Sequence, residues 1–317
     1  MAMNRIQFQR GMSLAEFLRC FGSEEQCAAA VKAARWPNGF VCPRCGGPEH
    51  GSVRQGGRTL YQCKACRHQA SLTAGTVFAG TKLPLTTWFL AMFLLSQAKT
   101  GMSALALKRQ LGVSYPTAWL MHHKILGAMA QREQEHRLEG VVQLDDAYLG
   151  GERSDGSTGR GATGKTPFVA AVSVNDQGHP LFVKLATVAA FSYQDIALWA
   201  CRSLAPGSLV LSDGLGCFAG VQAAQCVHAP TVVGRAKPRD LPDFRWVNTV
   251  LGNLKRTING AYHSLKYRKY ADSYLAGFAY RFNRRFDLLG IVAGLIVDVA
   301  RSGATPLRQI RAAEEHC

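Results

Sequence analysis

Carboxylates are scarce in this chain of 317 residues: 21 Asp and Glu stand against 37 Lys and Arg, a formal net charge of +16. With a pI near 9.7, that deficit favours a polyanionic partner, nucleic acid ahead of an acidic membrane, because each cation set against a phosphate releases condensed counterions. Long apolar runs are also missing. Trp88 to Leu95 and Leu288 to Val297 fall short of the ~20 residues a spanning helix needs, so they read as buried helices and a membrane role is not expected. Met1 to Met12 lacks an apolar core and is interrupted by Arg5 and Arg10, so no secretory leader is legible and a cytoplasmic location is expected. Solenoid-period repeats and low-complexity tracts are absent too. A composition 47% hydrophobic and only 18% charged excludes disorder as the main theme, and the length suits about two domains of roughly 150 residues.

Ten cysteines are present, and in a reducing compartment clustered cysteines bind metal more often than they form disulfides. Cys42-Pro-Arg-Cys45 and Cys63-Lys-Ala-Cys66 are two C-x2-C knuckles with 17 residues between them, the spacing of a four-thiolate zinc site. The Gly-rich segment Gly46 to Tyr61 would form the hairpin that brings the pairs together. So small a segment has little apolar core, so the metal would supply much of its folding free energy. His50 and His68 read as bystanders, and Cys20, Cys27, Cys201, Cys217, Cys226 and Cys317 mostly as small buried hydrophobes. Arg44, Arg54, Arg58, Lys64 and Arg67 incline the ribbon toward phosphate, although a zinc ribbon can equally grip RNA or protein.

Residues 1–35 read as helical, and helical periodicity returns over 84–135. Within the latter, Ser103 to Gln110, the turn Leu111-Gly-Val113 and Ser114 to Ile125 suit either a helix-turn-helix or an ordinary helical hairpin. In the first case Tyr115, Thr117, His122, His123 and Lys124 would face a major groove. From Gly140 onward strands alternate with helices. The expected strands are Val141 to Asp145, Pro167 to Val174, Pro180 to Ala186, Leu209 to Asp213 and Cys226 to Val233, with helices over Tyr193 to Leu204 and Cys217 to Ala224. Helices follow from Arg245, which argues an α/β fold on one mixed central sheet. Gly150 to Gly164 reads as a mobile loop.

Two of these strands end in acid, at Asp145 followed by Asp146 and at Asp213. A carboxylate at a sheet rim is costly unless a cation neutralises it, so the pair suggests a shared divalent ion with oxygen ligands, Mg²⁺ most simply. Arg245 to Arg256 reads as a helix on which Asn248 and Lys255, seven apart, return to one face. An amide oxygen ligates Mg²⁺ without adding charge; the other readings are a helix-start cap for Asn248 and a solvent-facing charge for Lys255. Residues 229–285 hold twelve Lys or Arg and three Asp, so a phosphate backbone is expected to lie there.

These residues carry a resemblance. The chain resembles the insertion-sequence transposases of ISXO-like type, which join an N-terminal zinc ribbon to an RNase-H-like domain with an Asp, Asp and Asn or Glu triad. The matching stretches are Arg35-Trp-Pro-Asn-Gly-Phe-Val-Cys-Pro-Arg-Cys45, Tyr61-Gln-Cys-Lys-Ala-Cys66, Ser71-Leu-Thr-Ala-Gly-Thr-Val-Phe78 and Leu144-Asp-Asp-Ala-Tyr-Leu-Gly-Gly151. They continue with Ser212-Asp-Gly214, Val247-Asn-Thr-Val-Leu-Gly-Asn-Leu-Lys255, Gly260-Ala-Tyr-His263 and Tyr280-Arg-Phe-Asn-Arg-Arg285, from about Met12 to about Leu289.

The resemblance implies a helical segment over 1–35, a zinc ribbon over 36–80, a helical DNA-binding region over 81–135, an RNase-H-like catalytic domain over 136–300 and a tail over 301–317. It implies structural Zn²⁺ on Cys42, Cys45, Cys63 and Cys66, and catalytic Mg²⁺ or Mn²⁺ on Asp145, Asp213 and Asn248, with Lys255 as the associated cation. Asn253 is an alternative third ligand, and Asp146 a competitor of Asp145. Gly277 stands where Glu is expected. The implied activity is cleavage of element ends and transfer of the freed 3′-hydroxyl to target DNA, by a homo-oligomer, a dimer, that brings two terminal repeats together. Arg44, Arg58, Lys64, Lys124, Lys255, Arg256, Lys266, Arg284 and Arg285 are the expected DNA contacts. A regulator that has lost catalysis and an RNase-H-like nuclease that never joins are the alternatives.

Overall fold

The computed structural model describes residues 9–56, 58–150, 165–231, 241–262 and 267–312. In chain order the elements begin with α1 (Leu14–Phe21), α2 (Glu24–Arg35), β1 (His50–Gln55), β2 (Arg58–Cys63), β3 (Gln69–Ser71), α3 (Leu85–Gln97), α4 (Ala104–Leu111) and α5 (Tyr115–Gln134). Then come β4 (Val141–Leu149), β5 (Thr166–Val174), β6 (Pro180–Thr187), α6 (Tyr193–Ser203), β7 (Leu209–Asp213), a 3-10 helix over Gly216–Ala224 and β8 (Val227–Thr231). A 3-10 turn Pro242–Phe244 leads into α7 (Arg245–Ala261), followed by α8 (Tyr267–Asn283), α9 (Ile291–Arg301) and α10 (Leu307–Ala312). The expected loop over Gly150 to Gly164 lies, apart from Gly150, outside the described residues.

The chain divides into two compact units, one formed by the residues up to Ala128 together with Phe286–Ile310, the other by Met129–Arg285 together with the residues from Arg311. This differs from the division expected from sequence, because α9 turns its apolar face, Ile291, Val292, Leu295, Ile296 and Val299, toward α2 and α3 rather than toward the sheet. Arg301 Nε donates to the Ala34 carbonyl at 3.0 Å and closes that contact. In the same unit α1 and α2 each start on a capping box, Ser13 with Glu16 and Ser23 with Gln26, which satisfies donors that helix ends otherwise leave open. The start of α3 has no cap of its own; Glu24 of α2 accepts from the Leu85 and Thr86 N–H groups at 2.9 and 3.2 Å. Arg35 donates to the carbonyls of Ser71 and Leu72, tying α2 to the small sheet β1-β2-β3.

The second unit is built on a five-stranded mixed sheet of order β6-β5-β4-β7-β8. β4, β5 and β6 pair antiparallel, and β7 and β8 join parallel on the other side of β4. That is the α/β arrangement expected from the RNase-H-like resemblance. Residues along β4 alternate between faces. Val142 and Leu144 pack with α6 and the 3-10 helix, whereas Leu149, with Ala147 against it, joins the core beneath α7 and α8. The expectation that β4 ends at Asp145 is corrected: β5 continues to pair with it as far as Leu149, and what stops at this level is β7.

The exposed edge of the sheet is covered from α8. Asn283 accepts from the Val183 N–H and donates to its carbonyl, Asp272 accepts from Thr187, and Arg285 donates to the carbonyls of Pro180 and Leu181. Such capping removes the open N–H and C=O row that would otherwise template aggregation.

The segment expected as a helix over Cys217 to Ala224 forms a 3-10 helix instead. Its Gly220 lies against the backbone of α6: a Cβ there would stand 2.6 Å from the Tyr193 carbonyl oxygen and 2.9 Å from the Ala197 nitrogen. Gly220→Ala should therefore lower stability by roughly 1–3 kcal/mol, as overpacking does; the shift in urea midpoint measures it.

Candidate functional site

In the first unit the two cysteine knuckles are built alike. The Gly46 N–H donates to the Cys42 carbonyl at 2.9 Å, and the Arg67 N–H to the Cys63 carbonyl at 3.1 Å. The residue after each second cysteine turns left-handed, Gly46 at φ 76° and Arg67 at φ 59°, which folds the chain tightly enough for both sulfurs of a knuckle to face one point. All four Sγ atoms lie within 4.8 Å of one another. Cys42–Cys66 and Cys45–Cys63 are each 3.6 Å apart, close to the edge of about 3.8 Å in a tetrahedron with bonds of ~2.3 Å.

The thiols also disturb one another's ionisation. Burial opposes ionisation of Cys42, yet N–H groups of Arg44 and Cys45 and the neighbouring thiols draw its pKa down to about 6. The Gly47 N–H favours the Cys45 thiolate, but Cys66, Cys63 and Cys42 hold that group up to about 12. Four sulfurs this close ionise together only around a cation, and the soft donor set suits zinc. Trp36, Phe40, Tyr61 and Ala70 pack around Cys42 and Cys63 as the ribbon's small core. His50 lies against the Phe40 and Tyr61 rings, a packing role that explains why it is no ligand. Of the other cysteines, Cys27 and Cys226 are buried and Cys217 is half-buried, whereas Cys20 and Cys201 are exposed. Cys317 lies outside the described residues.

The helix-turn-helix segment has the expected shape, with Gly112 as a left-handed cap at φ 65° closing α4. Its expected contact face is different. His122, His123 and Lys124 are buried, and Lys124 Nζ donates to the Val77 carbonyl at 3.0 Å. Tyr115, by contrast, is exposed at the start of α5. A lysine whose ammonium is held inside its own unit, with its pKa lowered by burial, presents no charge to a phosphate.

In the second unit the acids converge. The parallel register pairs Val141 with Leu209 and runs through Leu144 with Ser212. One step further, at the same offset of 68 residues, Asp145 stands beside Asp213. Neighbouring strands are ~4.8 Å apart, and residues side by side project from the same face. Carboxylate oxygens of Asp145, Asp146 and Asp213 lie within 4.8 Å of one another, and all three residues are half-buried. One oxygen of Asp145 accepts the Asp146 N–H at 2.9 Å, and one of Asp213 accepts the Leu215 N–H at 3.2 Å. Like charges at this distance repel, and hard oxygen donors suit Mg²⁺ or Mn²⁺. Asp146, weighed from sequence only as a competitor of Asp145, is a full member of the cluster.

Asn248 lies in the first turns of α7, the helix that packs on β4 and β5. The Val247 N–H just before it donates to Gln143 Oε1 of β4 at 3.1 Å, and Gln143 is two residues ahead of Asp145. Asn253 is engaged elsewhere: its Oδ1 accepts from Arg256 at 2.8 Å. Lys255 and Arg256 are exposed on α7, as Arg44 and Lys64 are on the ribbon, where Lys64 pairs with Glu49 at 3.2 Å.

Arg284 and Arg285 are turned inward. Arg284 pairs with Glu133 and stacks on the Tyr280 ring at 3.4 Å. Arg285 donates to the β6 carbonyls, and burial lowers its pKa to about 10. Acceptors distant in sequence, Glu133 and the Pro180 and Leu181 carbonyls, claim these guanidinium groups. The Arg58 side chain and Lys266 lie outside the described residues. Gly277 is buried within α8.

Comparison with known families agrees with this arrangement. Residues 137–283 match the profile of the ISXO2-like transposase domain, and residues 22–69 that of the transposase zinc-ribbon domain. The chain is also similar, 32% identical over 152 residues, to an uncharacterized protein in transposable element ISH50 of Halobacterium salinarum. That match covers 45% of this chain and 50% of the relative, so the chain spans about half the length of the curated protein it matches. Among the described residues no helix is long and apolar enough to cross a membrane. With its thiolate cluster inside the one matched segment and its paired acids inside the other, the chain belongs to the insertion-sequence transposases that carry a zinc ribbon ahead of an ISXO2-like transposase domain.

Proposed function

We propose that this protein cleaves the ends of its own insertion element and joins the freed 3′-hydroxyl to target DNA. The observation that carries the reading is the register of β4 against β7, which brings Asp145 beside Asp213 with Asp146 in the same cluster. Asp145, Asp213 and the amide of Asn248 would hold divalent ions, Mg²⁺ or Mn²⁺, and Asp146 adds a further carboxylate. When bound, such ions stabilise the entering and leaving oxygens of an in-line displacement at phosphorus.

The chain's own groups do the rest. N–H donors from Asp146 and Leu215 each fix one carboxylate oxygen, so the ligand atoms are held before substrate arrives. Asn248 supplies an oxygen without a charge, which leaves the site one negative charge weaker than a glutamate would. Lys255, exposed on the same helix, holds a phosphate flanking the reacting one. Arg44, Lys64 and Arg256 widen the DNA surface; Lys124, Arg284 and Arg285 are left out of it because their charges are engaged inside the protein. Four thiolates hold structural Zn²⁺, the ribbon and helices grip DNA, and the sheet domain cuts it. Two element ends call for two copies, so a dimer on DNA follows.

The test is incubation with the DNA flanking the element, with Mg²⁺ or Mn²⁺, and mapping of nicks and joined products. Joined target DNA is expected; nicks alone would make the protein a nuclease of RNase H type, and neither product a DNA-binding regulator. Asp213→Ala should reduce cleavage at least 10²-fold while leaving DNA binding intact, and full cleavage by that variant would end the assignment. Asn248→Glu should bind Mn²⁺ more tightly by calorimetry.

Lys255→Ala should reduce the slope of log affinity against log salt by about 0.9, whereas Arg285→Ala should leave the slope unchanged and lower the melting temperature. Cys63→Ser should lose the ribbon's zinc, read as zinc per chain after gel filtration, with loss of order confined to the ribbon.

A further inference from the structure

α7 begins without any cap from its own sequence. Its N-cap residue, Phe244, makes no side-chain hydrogen bond and is buried in the core, and its first turn carries no acid. The missing acceptor comes from the sheet. Gln143 of β4, 5% exposed, accepts from the N–H groups of Trp246 at 2.9 Å and Val247 at 3.1 Å through one oxygen, Oε1. Helix starts leave four such donors unsatisfied, and here two of them converge on a side chain anchored in another element.

The position of that anchor matters. By strand alternation Gln143 projects to the same face as Asp145, and in register it sits beside Leu211, two residues ahead of Asp213. Strand β4 therefore carries a metal-ligating carboxylate and, one same-face step earlier, the acceptor that holds the helix bearing Asn248. Two hydrogen bonds to one oxygen tie the two together. Sliding or rotating α7 on the sheet would break both N–H contacts at once.

Resting on the reading of Asn248 as third ligand, we infer that Gln143 is a positioning residue, whose amide sets α7 so that Asn248 meets the Asp145–Asp213 pair. A neutral acceptor suits the place: a carboxylate would accept from the helix N-terminus equally well but would add like charge beside the acidic cluster. A side chain of the same length without an acceptor would leave the N–H groups of half-buried Trp246 and buried Val247 open and free the helix to shift.

Gln143→Met is the first test, with Gln143→Glu as the variant that keeps the acceptor and Gln143→Asn as one that withdraws it by a methylene. In Gln143→Met the Trp246 and Val247 amides should exchange hydrogen faster, Mn²⁺ affinity measured by calorimetry on the DNA-free protein should fall, and kcat for end cleavage should drop roughly 10- to 100-fold with KM for DNA within about twofold. Gln143→Glu should restore amide protection and bring kcat back to within a few-fold of the parent. Val221→Ala, a core change on the opposite sheet face, controls for lost stability and should keep kcat.

The inference is overturned by a Gln143→Met protein whose two amides exchange faster while Mn²⁺ affinity and kcat stay unchanged, or by a Gln143→Glu protein whose amides are protected while its Mn²⁺ affinity and kcat are no higher than those of Gln143→Met. Should the Met variant not fold, unchanged kcat and Mn²⁺ affinity in Gln143→Asn overturn it equally. Full cleavage by Asn248→Ala would instead reject the third-ligand reading itself; an inactive Asn248→Ala beside fully active Gln143 variants would reject only the role of Gln143.

Discussion

The parallel pairing of β4 with β7 is the constraint on which the candidate active centre depends. Its offset is constant along the ladder, so once Val141 is set against Leu209 every later pair follows, and Asp145 comes to stand beside Asp213. A slip of one residue would turn one of the two acids to the opposite face, away from its partner. Core packing guards the register: Val142 and Leu144 of β4 and Val210 of β7 enter the same apolar cluster beneath α6, and a slipped strand would send its acids into that cluster. Exclusion of carboxylate from the core therefore holds the acids together at the sheet rim against their mutual repulsion.

Two helix starts that lack a side-chain cap of their own, those of α3 and α7, are secured by groups from elsewhere in the fold. Glu24 of α2 holds the start of α3, and Gln143 of β4 holds the start of α7. A local cap would fix only the helix's own first turn, whereas a distant one also fixes where that turn stands. The cover that α8 lays on β6 works in the same way. Asp272, Asn283 and Arg285 replace a missing strand with side-chain acceptors and donors, and in doing so they turn a basic run that looks like a DNA surface into part of the scaffold.

Much of the site was legible before any coordinates. The C-x2-C spacing announces a metal knuckle because only close thiols in a tight turn reach one ion, and Asp145 and Asp213 stand out because apolar strands seldom end in acid. The places of the five strands of the larger sheet along the chain were equally plain from short apolar runs bounded by Gly, Asp and Pro, whereas their order within the sheet was not. Less legible were the membership of Asp146, since strand alternation alone would turn it from its neighbour, and the burial of His122, His123 and Lys124, since charge and aromatic content do not say which side of a helix faces solvent. The return of α9 to the N-terminal unit was hidden for the same reason: an apolar helix is compatible with any apolar face.

Sequence by itself determined the zinc knuckles, the α/β texture, the acidic residues and the excess of positive charge, because each rests on local spacing or composition. Tertiary structure decided which cations stay on the surface, how far β4 extends, which acids share a point in space and how α7 is held over the sheet. Those outcomes turn on acceptors and neighbours supplied from more than a hundred residues away, such as Gln143 for Val247 and Leu181 for Arg285, and no local pattern encodes which distant group arrives.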